Sequence, residues 1–112
     1  MMIVLGAGLA GCAAARILSE AGFQMLLAEK FKMPRNKSCS GVLIQKFLEL
    51  VRRCFGEEVP ERVMCASALN KGMIFTEAKG RELRFEQEGR NIWRSSFDHW
   101  FAAKAKESGA QV

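Results

Sequence analysis

The run Gly6-Ala7-Gly8-Leu9-Ala10-Gly11 spaces its glycines as G-x-G-x-x-G, and Glu29 follows 18 residues after Gly11. Glycines at this spacing permit a tight turn, let the backbone approach a diphosphate without a Cβ in the way, and allow the next helix to pack closely on a sheet. An anion held there rests on free N–H groups and on the positive end of the helix. A carboxylate roughly 20 residues further on is placed to accept a ribose hydroxyl. The chemistry these residues fit is recognition of an adenine dinucleotide. The plainer alternative is that the glycines only make a tight strand-to-helix turn.

Such a motif needs a strand to feed it and a helix to leave it. Met2-Ile3-Val4-Leu5 is the apolar strand, and a helix is predicted from Gly11 to Ala21 with Ala10, Ala13, Ala14, Ile17, Leu18 and Ala21 at helical spacing and Gly22 as its stop. Phe23 to Ala28 is a near-continuous apolar run, the pattern of a strand buried on both faces. Lys30 to Ser40 is irregular, with Pro34 and Asn36. A helix is predicted over Gly41 to Phe55, and Met73 to Thr76 with Glu82 to Glu86 form a hairpin around Lys79-Gly80. Asn91 to Arg94 reads as a short strand. Ser95 with Asp98 resembles a capping box opening a helix through Phe97, Trp100, Phe101 and Ala105 to Gly109, and Ala110 to Val112 begins a further strand.

The predicted fold class is α/β: a Rossmann-like βαβ unit with a small antiparallel β insertion, cut short at its third parallel strand. The whole of 1–112 reads as the N-terminal portion of one cofactor-binding domain, divided into 1–30 (dinucleotide-binding βαβ), 31–93 (cap or insertion) and 94–112 (a helix returning to the parallel sheet). A simple NAD dehydrogenase passes from its acid to the next parallel strand with little delay. The long diversion here favours a flavoprotein.

With 112 residues, 49% hydrophobic and 26% charged, the chain has the composition of one modest globular core. No apolar stretch is long enough to cross a bilayer. Part of the net charge of +5 comes from Lys30, Lys32, Arg35 and Lys37 in one loop. That loop reads as a solvated face, or as a surface beside cofactor phosphates or an anionic lipid headgroup. No stacking platform or recognised module accompanies the charge, so no nucleic-acid partner is expected. Cys12, Cys39, Cys54 and Cys65 form no C-x-x-C pair and read as reduced cytoplasmic thiols without a metal. Leu9-Ala10-Gly11-Cys12 mimics a lipoprotein cleavage site, yet the first basic residue is Arg16, after the cysteine, where a secretory signal needs one before it. His99 lies mid-helix and is expected to be packed or solvated.

Gly6-Ala7-Gly8-Leu9-Ala10-Gly11, Glu29-Lys30, Lys37-Ser38-Cys39-Ser40-Gly41-Val42-Leu43 and Arg94-Ser95-Ser96-Phe97-Asp98 together resemble the N-terminal part of the geranylgeranyl reductase family, within the para-hydroxybenzoate hydroxylase-like FAD-dependent oxidoreductases. The resemblance implies FAD as cofactor. It implies Gly6, Gly8 and Gly11 at the pyrophosphate, Glu29 at the adenosine ribose, Cys39, Ser40 and Gly41 on the flavin side, and Arg94 on the cofactor again. Ala10, beside the glycines, and Lys30, beside Glu29, are counted with the cofactor-binding residues. Read from the residues alone, Cys39-Ser40-Gly41 offers small side chains and N–H groups at a helix start, or an ordinary helix entry with Ser40 as N-cap. Ser40 stands where many relatives have glycine.

The activity so implied is reduction of carbon–carbon double bonds in an isoprenoid or other lipid by a parent enzyme, with another flavin monooxygenase or dehydrogenase as the alternative. A third reading is a truncated, non-catalytic nucleotide-binding or interaction module. No residue is assigned to catalysis, since the flavin carries the hydride chemistry. The partner expected is a small-molecule or lipid substrate, with peripheral membrane contact through the basic loop. Phe97, Trp100 and Phe101 are expected to lie exposed in so short a chain.

Overall fold

A computed structural model describes the backbone of residues 1–112 and the side chains of all but Ser67 and Ala68. The chain forms two compact units, one from Met1–Cys39 with Arg94–Val112, the other from Ser40–Trp93.

In the first unit, β1 (Met2–Leu5) runs parallel to β2 (Met25–Ala28), with Val4 opposite Leu27 and Ile3 opposite Leu26. Between them lies α1 (Leu9–Glu20), and the unit is completed by α3 (Arg94–Glu107). After α3, Gln111 bridges Leu26 in parallel, its N–H donating to Met25 O and its carbonyl accepting from Leu27 N–H. A strand therefore begins beside β2 where Ala110 to Val112 suggested one.

The apolar run of β2 is not buried on both faces. Met25 and Leu27 are buried, whereas their neighbours on the opposite face of β1, Ile3 and Leu5, are 58% and 83% exposed. In this unit α1 and α3 pack against each other and α1 lies on the strands, so one face of the parallel pair is covered. The stripe on α1 is also narrower than its alanines suggest. Cys12 and Ala15 are buried, and Ile17 is exposed.

Phe97, Trp100 and Phe101 are not exposed. They are 0%, 4% and 3% accessible and contact one another, Phe97 edge-on to Phe101 at 4.9 Å between centroids. Helix α3 packs against α1, whose buried residues, Cys12 and Ala15, are small. Helix α3 starts at Arg94, one residue before the expected cap, so Ser95 lies inside it and is not its N-cap.

The second unit is an antiparallel sheet in the order β3 (Val42–Ile44), β5 (Glu82–Ile92), β4 (Met64–Thr76), with α2 (Gln45–Phe55) and a 3-10 turn at Glu61–Val63. Its core is Leu43, Val51, Phe55, Val59, Val63 and Ile92. The helix predicted from Gly41 begins only at Gln45, because Val42–Ile44 pair with Gly89–Asn91 instead. The hairpin turns at Gly80 as expected, and its strands are far longer than the alternation suggested. Asn91 and Ile92 are the end of β5, not a separate strand.

Candidate functional site

The glycine motif forms the turn from β1 into α1. Gly6 takes φ +100°, a conformation that L side chains rarely adopt. At Gly11 a Cβ would lie 2.0 Å from Gly6 O, so only glycine lets the helix sit this close to the turn. Gly8 is different: a Cβ there would meet only Lys37 Nζ, at 3.9 Å. The space over Gly8 is open, and an ammonium group stands beside it.

The first intrahelical donor of α1 is Cys12 N–H, bonding Gly8 O at 2.9 Å. The N–H groups of Leu9, Ala10 and Gly11 precede it, Gly8 brings no side-chain cap, and the first turn holds no acidic residue. An uncapped helix end, an open space over Gly8 and a lysine beside it fit a diphosphate.

Glu29, at the end of β2, is drawn into this turn. Its Oε2 accepts Ala7 N–H at 2.9 Å and its Oε1 accepts Phe31 N–H at 3.2 Å. Those hydrogen bonds, Phe31's foremost, hold the carboxyl below the usual carboxylate range despite partial burial, with help from the nearby Arg35 charge. A carboxylate has about four lone-pair directions, so capacity remains for ribose hydroxyls.

This unit also holds a buried ion cluster that local sequence patterns do not reveal. Asp98 is fully buried and accepts Arg94 Nε at 2.7 Å, Arg94 Nη2 at 2.9 Å and Arg35 Nη1 at 2.8 Å. Arg35 Nη2 in turn lies 3.4 Å from Ala7 O and 3.4 Å from Glu29 Oε2. Asp98 resembled a capping acid because its partner Arg35 is 63 residues away. The spacing of Arg94 and Asp98, i and i+4 on a helix, was the local signal available. The Arg94 guanidinium is held more firmly protonated than usual, by its hydrogen bonds to Asp98 and then, against the cost of burial, to Cys39.

The structure thus gathers Gly6, Gly8, Gly11, Glu29, Cys39 and Arg94 in the first unit, with Cys39 exposed and bonded to Arg94. Ala10 is exposed on the first turn of α1. Lys30 is exposed, its Nζ 5.3 Å from the centroid of the Phe31 ring. Ser40 and Gly41 belong to the second unit and do not open a helix, since β3 follows them. Gly41, at φ +72°, accepts Ile92 N–H, and a Cβ there would lie 2.7 Å from Ile92 O. Cys12 is buried in α1, and burial first, then the Asp98 charge, pushes its thiol up to about 12. His99 is exposed. Among the described residues there is no cluster of His, Cys, Asp or Glu suited to a metal, and no helix is long and apolar enough to cross a membrane.

The sequence profile of the family described as "FAD binding domain" matches residues 1–73. Protein FixC of Salmonella typhi is 32% identical over 117 aligned positions, which cover 98% of this chain and 27% of FixC. The chain therefore spans about a quarter of the length of the curated relatives it matches. Among solved structures, a geranylgeranyl bacteriochlorophyll reductase-like protein from Thermoplasma acidophilum superposes with a TM-score of 0.79 at 22% identity, over 98% of this chain and 28% of that one. A flavin-dependent brominase superposes with a TM-score of 0.77 at 21% identity, over 97% of this chain and 27% of that one. These likenesses match the α/β fold of a parallel strand pair with an antiparallel sheet.

Proposed function

Because the chain belongs to the FAD binding domain family, whose cofactor is FAD, we propose that it is the cofactor-binding N-terminal portion of a flavin-dependent oxidoreductase that reduces carbon–carbon double bonds of an isoprenoid or similar lipid. The observation that carries the cofactor part is the glycine turn, with open space over Gly8, Lys37 Nζ beside that space and no side-chain cap on α1. The lipid substrate is supported by the four sequence segments that resemble geranylgeranyl reductases and by the likeness to the Thermoplasma protein. A halogenating or hydroxylating flavin monooxygenase is the second reading, favoured by the likeness to the brominase.

In this proposal the N–H groups at the start of α1 and the Lys37 ammonium hold the pyrophosphate, with Gly6, Gly8, Ala10 and Gly11 shaping the surface it lies on. Glu29, with Lys30 next to it, receives the adenosine ribose, and Arg94 supplies a fixed cation. Cys39, Ser40 and Gly41 are assigned to the flavin side. FAD when bound supplies the hydride chemistry. The protein binds and orients it, and no residue of this chain is assigned to the chemical step. The 112-residue chain alone is therefore proposed to be inactive, to act in a cytoplasmic parent, and to meet a membrane only peripherally, through the basic loop.

The test is titration of the chain with FAD, followed by flavin fluorescence. Saturable binding weaker than micromolar is expected. Binding of NAD(P) without FAD would overturn the reading.

A further inference from the structure

We propose that Asp98 is a positioning residue for the cofactor: its buried carboxylate fixes the Arg94 guanidinium and ties it, through Arg35, to the glycine turn. The proposal rests on the reading of that turn as a FAD cradle. An ionised carboxylate removed from water is tolerable only when paired and hydrogen-bonded. Asp98, fully buried, accepts three charge-assisted hydrogen bonds from two arginines.

Those arginines come from different places. Arg94 opens α3, and Arg35 lies in the irregular segment after β2. A guanidinium is planar, with its donors in a fixed fork, so holding the Nε and Nη2 edge of Arg94 sets the direction of the rest. Arg35 extends the link to Ala7 O inside the glycine turn and to Glu29. One carboxylate thus joins the turn that would hold the pyrophosphate to the arginine proposed to meet the cofactor.

An ion pair with only a structural role predicts that affinity falls in step with stability. The positioning role predicts that they separate. Asp98→Asn, Arg94→Met and the double variant of the 112-residue chain are titrated with FAD up to millimolar concentration and melted in parallel. Each single change is expected to weaken FAD about ten-fold or more. The double variant is expected to bind as Arg94→Met does, yet to melt above Asp98→Asn, since it no longer contains Arg94 unpaired in the interior. If Asp98→Asn fails to fold, the double variant compared with Arg94→Met carries the test. Additive losses of affinity, or affinities that follow the melting temperatures, would overturn the proposal.

A second measurement needs no cofactor. In the parental chain the Nε–H resonance of Arg94, which donates to Asp98, is expected to be dispersed and slow to exchange with water. In Asp98→Asn it should move toward the position of free arginine while the backbone amides stay dispersed. An unchanged Arg94 resonance would show that Asp98 does not hold it. A parental chain that gives no saturable FAD signal, with this resonance shifting as described, would instead overturn the cofactor reading alone.

Discussion

The two units handle polar and apolar groups in opposite ways. The first buries a carboxylate with two arginines, leaves the start of α1 uncapped and places Gly6 at positive φ. The second has an apolar core, a helix ended in the ordinary way by Gly56 at φ +68°, and a hairpin whose Ile74, Phe75, Leu83 and Phe85 are about half exposed. Uncapped helix starts and glycines at positive φ occur in both, at α1 and α2 and at Gly6 and Gly41, so what sets the first unit apart is its buried ion cluster. A buried charge needs partners from elsewhere in the fold, and such costly groups concentrate where a ligand must be met.

The largest expected effects break the first unit. Gly8→Val should abolish measurable FAD binding while leaving the melting temperature nearly unchanged, because its Cβ meets only Lys37 Nζ, at 3.9 Å, and fills the cradle. Gly11→Ala should lose both, since its Cβ would lie 2.0 Å from Gly6 O and neither backbone segment can yield cheaply. Overpacking of this kind costs about 1–3 kcal/mol or more, read as a lower denaturation midpoint. Equal effects of the two substitutions on stability would show that the space over Gly8 is structural.

Glu29→Ala comes next. Loss of a charged hydrogen bond to ribose is worth on the order of 1.5–3 kcal/mol, so FAD affinity should fall about ten-fold or more. Stability should fall too, because Ala7 N–H and Phe31 N–H lose their acceptor. The pH dependence has a definite sign. The folded carboxyl titrates below its ordinary value of 4.5, so its contribution is complete above that pH and lost as pH falls through the lower folded value. The stability difference between the parental chain and Glu29→Gln should therefore be constant at neutral pH and close on acidification. A difference that grows on acidification would refute the assignment.

The sequence is legible where structure is local. Strand, glycine turn, helix and acid follow one another within 29 residues, and each step rests on neighbours. The turn at Lys79-Gly80 was legible for the same reason. Three features were hidden by distance along the chain. Val42–Ile44 looks like a helix start until β5 is present to pair with it. Asp98 reads as a helix cap until Arg35 is brought to it. The β2 run looks doubly buried because pattern reveals apolarity but not which face has a partner. Phe97, Trp100 and Phe101 read as exposed until α1, distant in sequence, is packed against α3.

The smallest effect is expected in the hairpin, and it completes the comparison. Phe75 and Phe85 meet edge to face, with centroids 5.7 Å apart, but are 56% and 51% exposed. An aromatic pair of this geometry contributes about 0.5–1.5 kcal/mol beyond its buried area, and at half exposure the lower end applies. Phe75→Ser should therefore lower the denaturation midpoint only slightly. FAD affinity should be unchanged, because the substitution touches none of the residues around the glycine turn. The check is one FAD titration and one urea melt of Phe75→Ser beside Gly8→Val: the first should move stability alone and the second binding alone. A loss of FAD binding in Phe75→Ser would mean that the hairpin takes part in holding the cofactor, and the division of labour between the two units would fail.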